Sequence, residues 1–327
     1  MLAATTDLLR LLAVPALGWA AWRDVRTRRL PNWLWYPLAA IGVVTLLVDA
    51  GAHLPMTGVA DRLFFVRVGV SLLVLIPLAY GLWWFGGFGG ADAKALMTLA
   101  LLFPTYPVLY LSTDALPLVA TTLGVFSLTV LTNAVLVGLA YPLYLGARNA
   151  LRGDRSLLMF VGRRTSVTAL THEHGRLFET PEGFTRHGLD LDALRMYLRW
   201  RGTTLADLRE SPAAHRDPTS VDETHDPTDG AVDAEAVVGD VSADTAPDFD
   251  AEYDDPWAAE RFLDDIEGSA YGTSPETLRE GLRVVTTRDT VWLSPGIPFI
   301  VPVFLGLVVG LTYGDLLFGL LRALGLV

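Results

Sequence analysis

The sequence predicts an all-α polytopic membrane protein of about six transmembrane helices, with a small mixed cytoplasmic insert between helices five and six. Three observations carry that reading. Just over half of the 327 residues are hydrophobic, 51%. Apolar runs near the roughly 20-residue length that spans a bilayer recur along the chain. The acidity behind the net charge of −11 is confined to one segment: residues 211–255 hold 14 Asp and Glu against one Arg.

The expected spans are 4–22, 33–50, 64–85, 95–112, 118–145 and 297–326, the longer ones tilting to fit. Asp7 and Arg10 fall in the first turns of span one, where long side chains reach the interface. The first 22 residues resemble a signal peptide in hydrophobicity, but their basic residues follow the apolar run, so the segment is expected to be retained. Lys and Arg set the orientation. Arg23, Arg26, Arg28 and Arg29 crowd the 23–32 loop, Arg62 alone marks 51–63, and 113–117 has none. Arg148, Arg152 and Arg155 open the region after span five. The 23–32 loop, the 86–94 loop and the insert are therefore expected on the cytoplasmic side of the cell membrane.

Three regions follow: 1–145 with spans one to five, an insert over 146–296, and the last span in 297–327. Within the insert, SVTALTHEHGRLFE predicts a β-hairpin around His174-Gly175, and Leu191, Leu194 and Leu198 mark one helical face before Gly202. Asp255 and Pro256 read as the start of a helix ending at Gly268. Residues 211–255, rich in acids, Pro, Gly, Ser and Thr and poor in aromatics, are expected to form a disordered linker. Of 25 basic residues only Lys94 is lysine, and this Arg bias with an acidic water-exposed part resembles the composition of proteins from salt-loving archaea. With no cysteine, the chain has no disulfide, thiolate zinc site or cysteine nucleophile.

Two carboxylates stand apart from the acidic segment. Asp24 follows span one in RDVRTRRLPNW, and Asp92 precedes span four in GGFGGADAK, on the same expected side. Brought together, two such groups do not both ionise readily. One stays protonated and the other remains a base, which is the pair needed to activate water and protonate a leaving amine. Glycines without Cβ let backbone and substrate approach Asp92 closely. No Gly-Lys-Ser/Thr follows the glycines, which argues against a phosphate cradle. Lys94, two residues past Asp92, carries a compact charge that arginine does not replace faithfully.

DVRTRRLPN from Asp24 to Asn32, followed by GGADAK from Gly89 to Lys94, resembles the two signature blocks of the type IV prepilin peptidases, GxGD-type membrane aspartyl proteases. SPGIPFIVPVF at 294–304 is similar to the proline-rich start of the last helix in their archaeal branch. The resemblance implies Asp24 and Asp92 as the catalytic pair, with Gly89, Gly90 and Lys94 in support, no metal and no cofactor. It implies removal of basic leaders from prepilin and prearchaellin precursors at the cytoplasmic face, with membrane lipid as surroundings and no nucleic-acid partner; it assigns no oligomeric state. Ala91 stands where the family pattern has glycine. The cysteine-containing loop and N-methyltransferase part of bacterial members have no counterpart, so peptidase activity alone is implied.

Two other classes are open. A transporter would use intramembrane charges as an ion path, but the carboxylates lie at span ends and no inverted repeat is visible. A scaffold recruiting partners through the insert makes no use of either aspartate. His172 and His174 read as a solvated turn, Asn133 as an interhelical hydrogen bond, and Asp315 as a residue near the outer end of the last span.

Overall fold

The computed structural model describes residues 4–111, 114–232, 252–266, 270–296 and 298–326. The chain divides into two units, Met1–Tyr141 with Pro298–Val327, and Pro142–Ile297. The expected insert boundary at 145/146 thus moves to 141/142.

The first unit opens with α1 (Thr5–Arg10) and α2 (Ala13–Thr27). Pro15 has no N–H for the Leu11 carbonyl, so the helix breaks between them. A loop and a short turn at Asn32–Leu34 lead to α3 (Trp35–Ala52). Next come α4 (Val59–Val70) and α5 (Ile76–Trp84), made continuous by a π-helical turn at Ser71–Leu75. The widened turn buries Ser71, whose Oγ donates to the Ala100 carbonyl at 2.7 Å. α6 (Gly90–Leu102) stops at Phe103 because Pro104 follows. A hairpin of β1 (Leu109–Leu111) and β2 (Asp114–Leu116) then precedes α7 (Phe126–Gly138) and α8 (Ala140–Leu151).

The second unit carries β3 (Arg163–Ser166), β4 (Arg176–Leu177), β5 (Glu179–Thr180) and β6 (Gly183–Phe184). Its helices are α9 (Leu191–Arg201), α10 (Leu205–Glu210), α11 (Pro212–Arg216), α12 (Ala259–Asp265) and α13 (Pro275–Thr287), and β7 (Thr290–Ser294) follows them. The chain then returns to the first unit as α14 (Ile300–Thr312) and α15 (Leu316–Ala323), separated at Gly314, whose φ of 105° glycine alone adopts readily.

Among the described residues three helical stretches are long and apolar enough to cross a membrane: Asn32–Ala52, Val59–Trp84 and Phe126–Leu151. They correspond to expected spans two, three and five. The other three expected spans fall on shorter helices of 15, 13 and 13 residues, α2, α6 and α14. Prolines and glycines inside the apolar runs cut them short, which hydropathy alone does not register.

The core of the first unit gathers Leu17, Ala20, Ala21, Leu38, Leu96, Leu99, Phe126, Val130, Val303 and Leu307. α14 lies against α7 and α2, and α3 against α6. Small residues permit these approaches: a Cβ on Gly306 would stand 2.7 Å from the Ala134 nitrogen, and one on Gly42 would stand 3.2 Å from the Leu101 carbonyl carbon. Asn133 does bond between helices, its Nδ2 donating to the Gly314 carbonyl at 2.8 Å and its Oδ1 accepting from Leu316 N at 2.9 Å. Asp315 caps α15 and is buried, accepting from Thr129 Oγ1 at 2.8 Å.

The second unit folds around Tyr197, Trp200, Trp257, Phe262, Leu278 and Leu282. Asp190 caps α9 by accepting from Asp192 N, and left-handed Gly202 ends it, matching the periodicity that marks this helix in the sequence. The hairpin expected around His174 does not form. β3 and β4 instead flank β7 on either side, each antiparallel to it, with a 3-10 turn at Val167–His172 between them. A strand more than 100 residues later supplies their partner, and local patterning cannot see it. His172 closes that turn, and His174 Nδ1 lies 3.9 Å from Asp192.

The expected linker also differs. Residues 211–232 are folded: His215 and Val221 are buried, and Asp217 and Asp226 accept backbone N–H groups in local turns. There the acids act as caps rather than as a solvated tether. Residues 233–251, the rest of its acidic middle, lie outside the described residues, as does Gly268. Asp255 does cap a helix, accepting from Glu260 N and Arg261 N, but α12 starts only at Ala259. Trp257 and Ala258 before it have left-handed backbones at φ 67° and 52°.

Candidate active site

Three helix ends of the first unit supply the candidate site. α2 brings Asp24 in its last turn, α6 brings Asp92 in its first, and α14 begins beside Asp24 at Ile300. α2 ends because Arg28 adopts a left-handed conformation, φ 55°, with its N–H donating to the Asp24 carbonyl at 3.0 Å. α6 begins at Gly89, whose N–H donates to Asp92 Oδ2 at 3.1 Å. Asp92 thus occupies the third helical position, where a carboxylate both caps the helix and meets the positive end of its dipole.

Asp24 is only 8% exposed, and Asp92 is half-buried. Both lie beyond the ends of their expected spans, 4–22 and 95–112. Burial is the largest influence on each and raises both pKa values. For Asp24 it is opposed by the Arg28 charge and by the backbone N–H of Ile300. For Asp92 it prevails over the Gly89 N–H, the negative charge of Asp24 adds to it, Arg28 opposes it, and the result is about 6. The Asp24 charge therefore bears on Asp92, and Arg28 opposes the rise at both carboxylates. A pair so coupled holds one proton between two groups over a range of pH and offers acid–base chemistry without a covalent nucleophile.

A Cβ on Gly89 would stand 3.0 Å from Asp92 Oδ2, too close for the carboxylate to stay where it is. Gly90 has room, with nothing nearer to its Cβ position than Trp83 Nε1 at 3.7 Å. Lys94 Nζ donates to Asn32 Oδ1 at 2.6 Å, joining the two motif blocks across 62 residues. Phe88 in the glycine loop packs on Phe299, ring centroids 4.7 Å apart, so the proline-rich segment before α14 meets the glycine loop. Arg28 and Ile300 were not separable by sequence reasoning: Arg28 was one of four arginines, and a backbone N–H leaves no mark in a sequence. The proline-rich stretch before Ile300 was the one available signal.

Among the described residues no group of three or more His, Asp or Glu converges as a metal site. Exposed aromatics flank the two motif blocks in sequence: Trp22, Trp33 and Tyr36 beside the first, and Trp83, Trp84 and Phe85 before the second. Side chains of this kind favour the level where hydrocarbon meets headgroups.

The fold and site are those of a helical membrane protein whose polar chemistry gathers at helix ends. Residues 11–143 match the type IV leader peptidase family. A preflagellin peptidase of Methanococcus voltae is 27% identical over 158 residues, which are 45% of this chain and 63% of that relative. The chain therefore spans less than two thirds of the length of that curated relative. Together these matches support the prepilin and prearchaellin peptidase family for this protein and bear out the resemblance drawn from the two motif blocks.

Proposed function

We propose that this protein is a membrane aspartyl endopeptidase that removes the basic leader from type IV prepilin-like and archaellin precursors at the cytoplasmic face, without methylating the product. The observation that carries the reading is that Asp24 ends α2 and Asp92 begins α6, one carboxylate from each motif block, within the region that matches the leader peptidase family. The ionised partner takes a proton from water as oxygen attacks the scissile carbonyl. The protonated partner then delivers its proton to the departing amine, and the C–N bond breaks. Asp92, raised to about 6, is assigned the acid, and Asp24, facing Arg28 and the Ile300 N–H, the base. Gly89 leaves backbone open beside the reacting groups.

The basic 23–32 loop has the wrong sign to attract a basic leader. Recognition of that charge then draws on acids elsewhere in the chain, and the apolar helix of the precursor stays in lipid beside the bundle. Membranes carrying this protein, mixed with a precursor of basic leader and apolar helix, are expected to yield a product whose mass and N-terminus place the cut between the two. An intact precursor would leave the transporter or scaffold reading standing.

A further inference from the structure

The dyad is assembled from two helix ends far apart in sequence, and a side-chain bond from Lys94 to Asn32 joins them. Lys94 lies one half-turn past Asp92 on α6, and its ammonium reaches Asn32, eight residues past Asp24, at 2.6 Å. The intervening loop is fastened at its near end. Arg23 Nε donates to the Arg29 carbonyl at 3.1 Å, and Thr27 Oγ1 lies 3.1 Å from the Arg23 carbonyl and 3.2 Å from that of Arg29. At its far end Leu34 N donates to the Pro31 carbonyl at 3.3 Å, which sets the turn that presents Asn32.

Asp24, its loop, Asn32, Lys94 and Asp92 therefore form a closed circuit that the Lys94–Asn32 bond completes. Assuming the peptidase reading above, we propose that Lys94 is a positioning residue that fastens the start of the Asp92 helix to the loop after Asp24 through Asn32. It holds the two carboxylates in register and touches no substrate.

The chemistry of the link explains the residue. The acceptor is a neutral amide at the surface, so bulk electrostatics gain little from the contact. A flexible four-carbon stem with a compact ammonium reaches a single acceptor oxygen in a way that a planar guanidinium fork does not reproduce. This is the one position at which a chain with 25 basic residues uses lysine. Acid–base pairs tolerate displacement poorly, an ångström costing up to about 100-fold in rate.

The test measures leader removal in membranes at saturating and limiting precursor. Lys94→Met and Asn32→Leu are each expected to lower kcat by about 10- to 100-fold with KM within about twofold. The double variant should be no worse than either single one, because both break the same bond. Asn32→Asp keeps an acceptor and should retain most of the rate, and the exchange N32K/K94N, which reverses the bond, should recover part of it. Additive losses, or full activity in Lys94→Met beside an active unmodified protein, would overturn the positioning role while leaving the peptidase reading intact. An inactive unmodified protein would overturn both. Because the chain has no cysteine, a pair at positions 32 and 94 bridged by a short bis-maleimide gives a readout independent of cleavage. Failure to bridge in folded protein contradicts the placement, and bridging that restores the rate lost in the two cysteine variants supports it.

Discussion

Replacing Gly89 by alanine is expected to shift the pH dependence of cleavage more than it disturbs the fold. Gly89 sits at φ −68°, an angle alanine adopts freely, so the backbone has no objection. Its new Cβ, however, would stand 3.0 Å from Asp92 Oδ2. Ordinary carbon–oxygen contact demands several tenths of an ångström more, so the carboxylate retreats and the 3.1 Å bond from Gly89 N lengthens beyond useful range. That bond favours the ionised form, and losing about 1.4 kcal/mol of it raises the pKa of Asp92 by about one pH unit. The starting value is about 6. With Asp92 as the acid, cleavage by the unmodified protein falls about tenfold per pH unit above that point. In Gly89→Ala the fall begins about one unit higher, while the maximal rate drops by up to about tenfold because the carboxylate is displaced. Initial rates of leader removal from pH 5 to 9, normalised to protein abundance, measure both effects. An alkaline limb that stays in place or moves to lower pH would refute the role assigned to the Gly89 bond.

Asp92→Asn should abolish cleavage yet stabilise the protein at neutral pH. The native state raises this group from 3.8 to about 6, so its ionisation is penalised on folding. The cost is absent below pH 3.8 and develops as pH rises through 6; with half-burial it amounts to about 1–2 kcal/mol at pH 7.5. Thermal unfolding in detergent should show a gain at pH 7.5 that vanishes near pH 4, and an equal gain at both would assign the effect to something other than charge. Gly306→Val should lower the yield of folded protein, because its side chain would collide with the α7 backbone at Ala134 and Val130 and overpacking costs about 1–3 kcal/mol or more; unchanged detergent stability would contradict the close helix approach. Removing residues 236–248, acidic and without an aromatic, should keep cleavage within about twofold, whereas removing 211–232 should unfold the second unit through loss of His215 and Val221. Limited proteolysis distinguishes the two deletions.

The candidate site residues stand out in the sequence because their signals are local and chemically unusual. A lone carboxylate after an apolar run, a second in a glycine-rich turn and one lysine among arginines all stand out in a string of residues. The three long helices were equally plain, since each stays strongly apolar on average over a full span despite the prolines and glycines within it. What escaped depends on contacts distant in sequence. The third strand of the small sheet joins β3 and β4 from residues 290–294, so the His174 segment looked like a self-contained hairpin. The acidic residues at 217 and 226 looked like a solvated linker because composition does not distinguish a cap from a free charge. Arg28 emerged from its group of arginines only through the left-handed turn that places its charge near both carboxylates.

The central claim, that Asp24 and Asp92 act as one acid–base pair, is tested most directly by cleavage of a leader-bearing precursor in membranes holding matched amounts of Asp24→Asn, Asp92→Asn and the double variant. Each single substitution removes one member of the pair, so each alone should reduce product below detection, and the double variant should be no worse than either. Leader removal at a near-normal rate by either single variant, with the protein inserted and abundant, would contradict it.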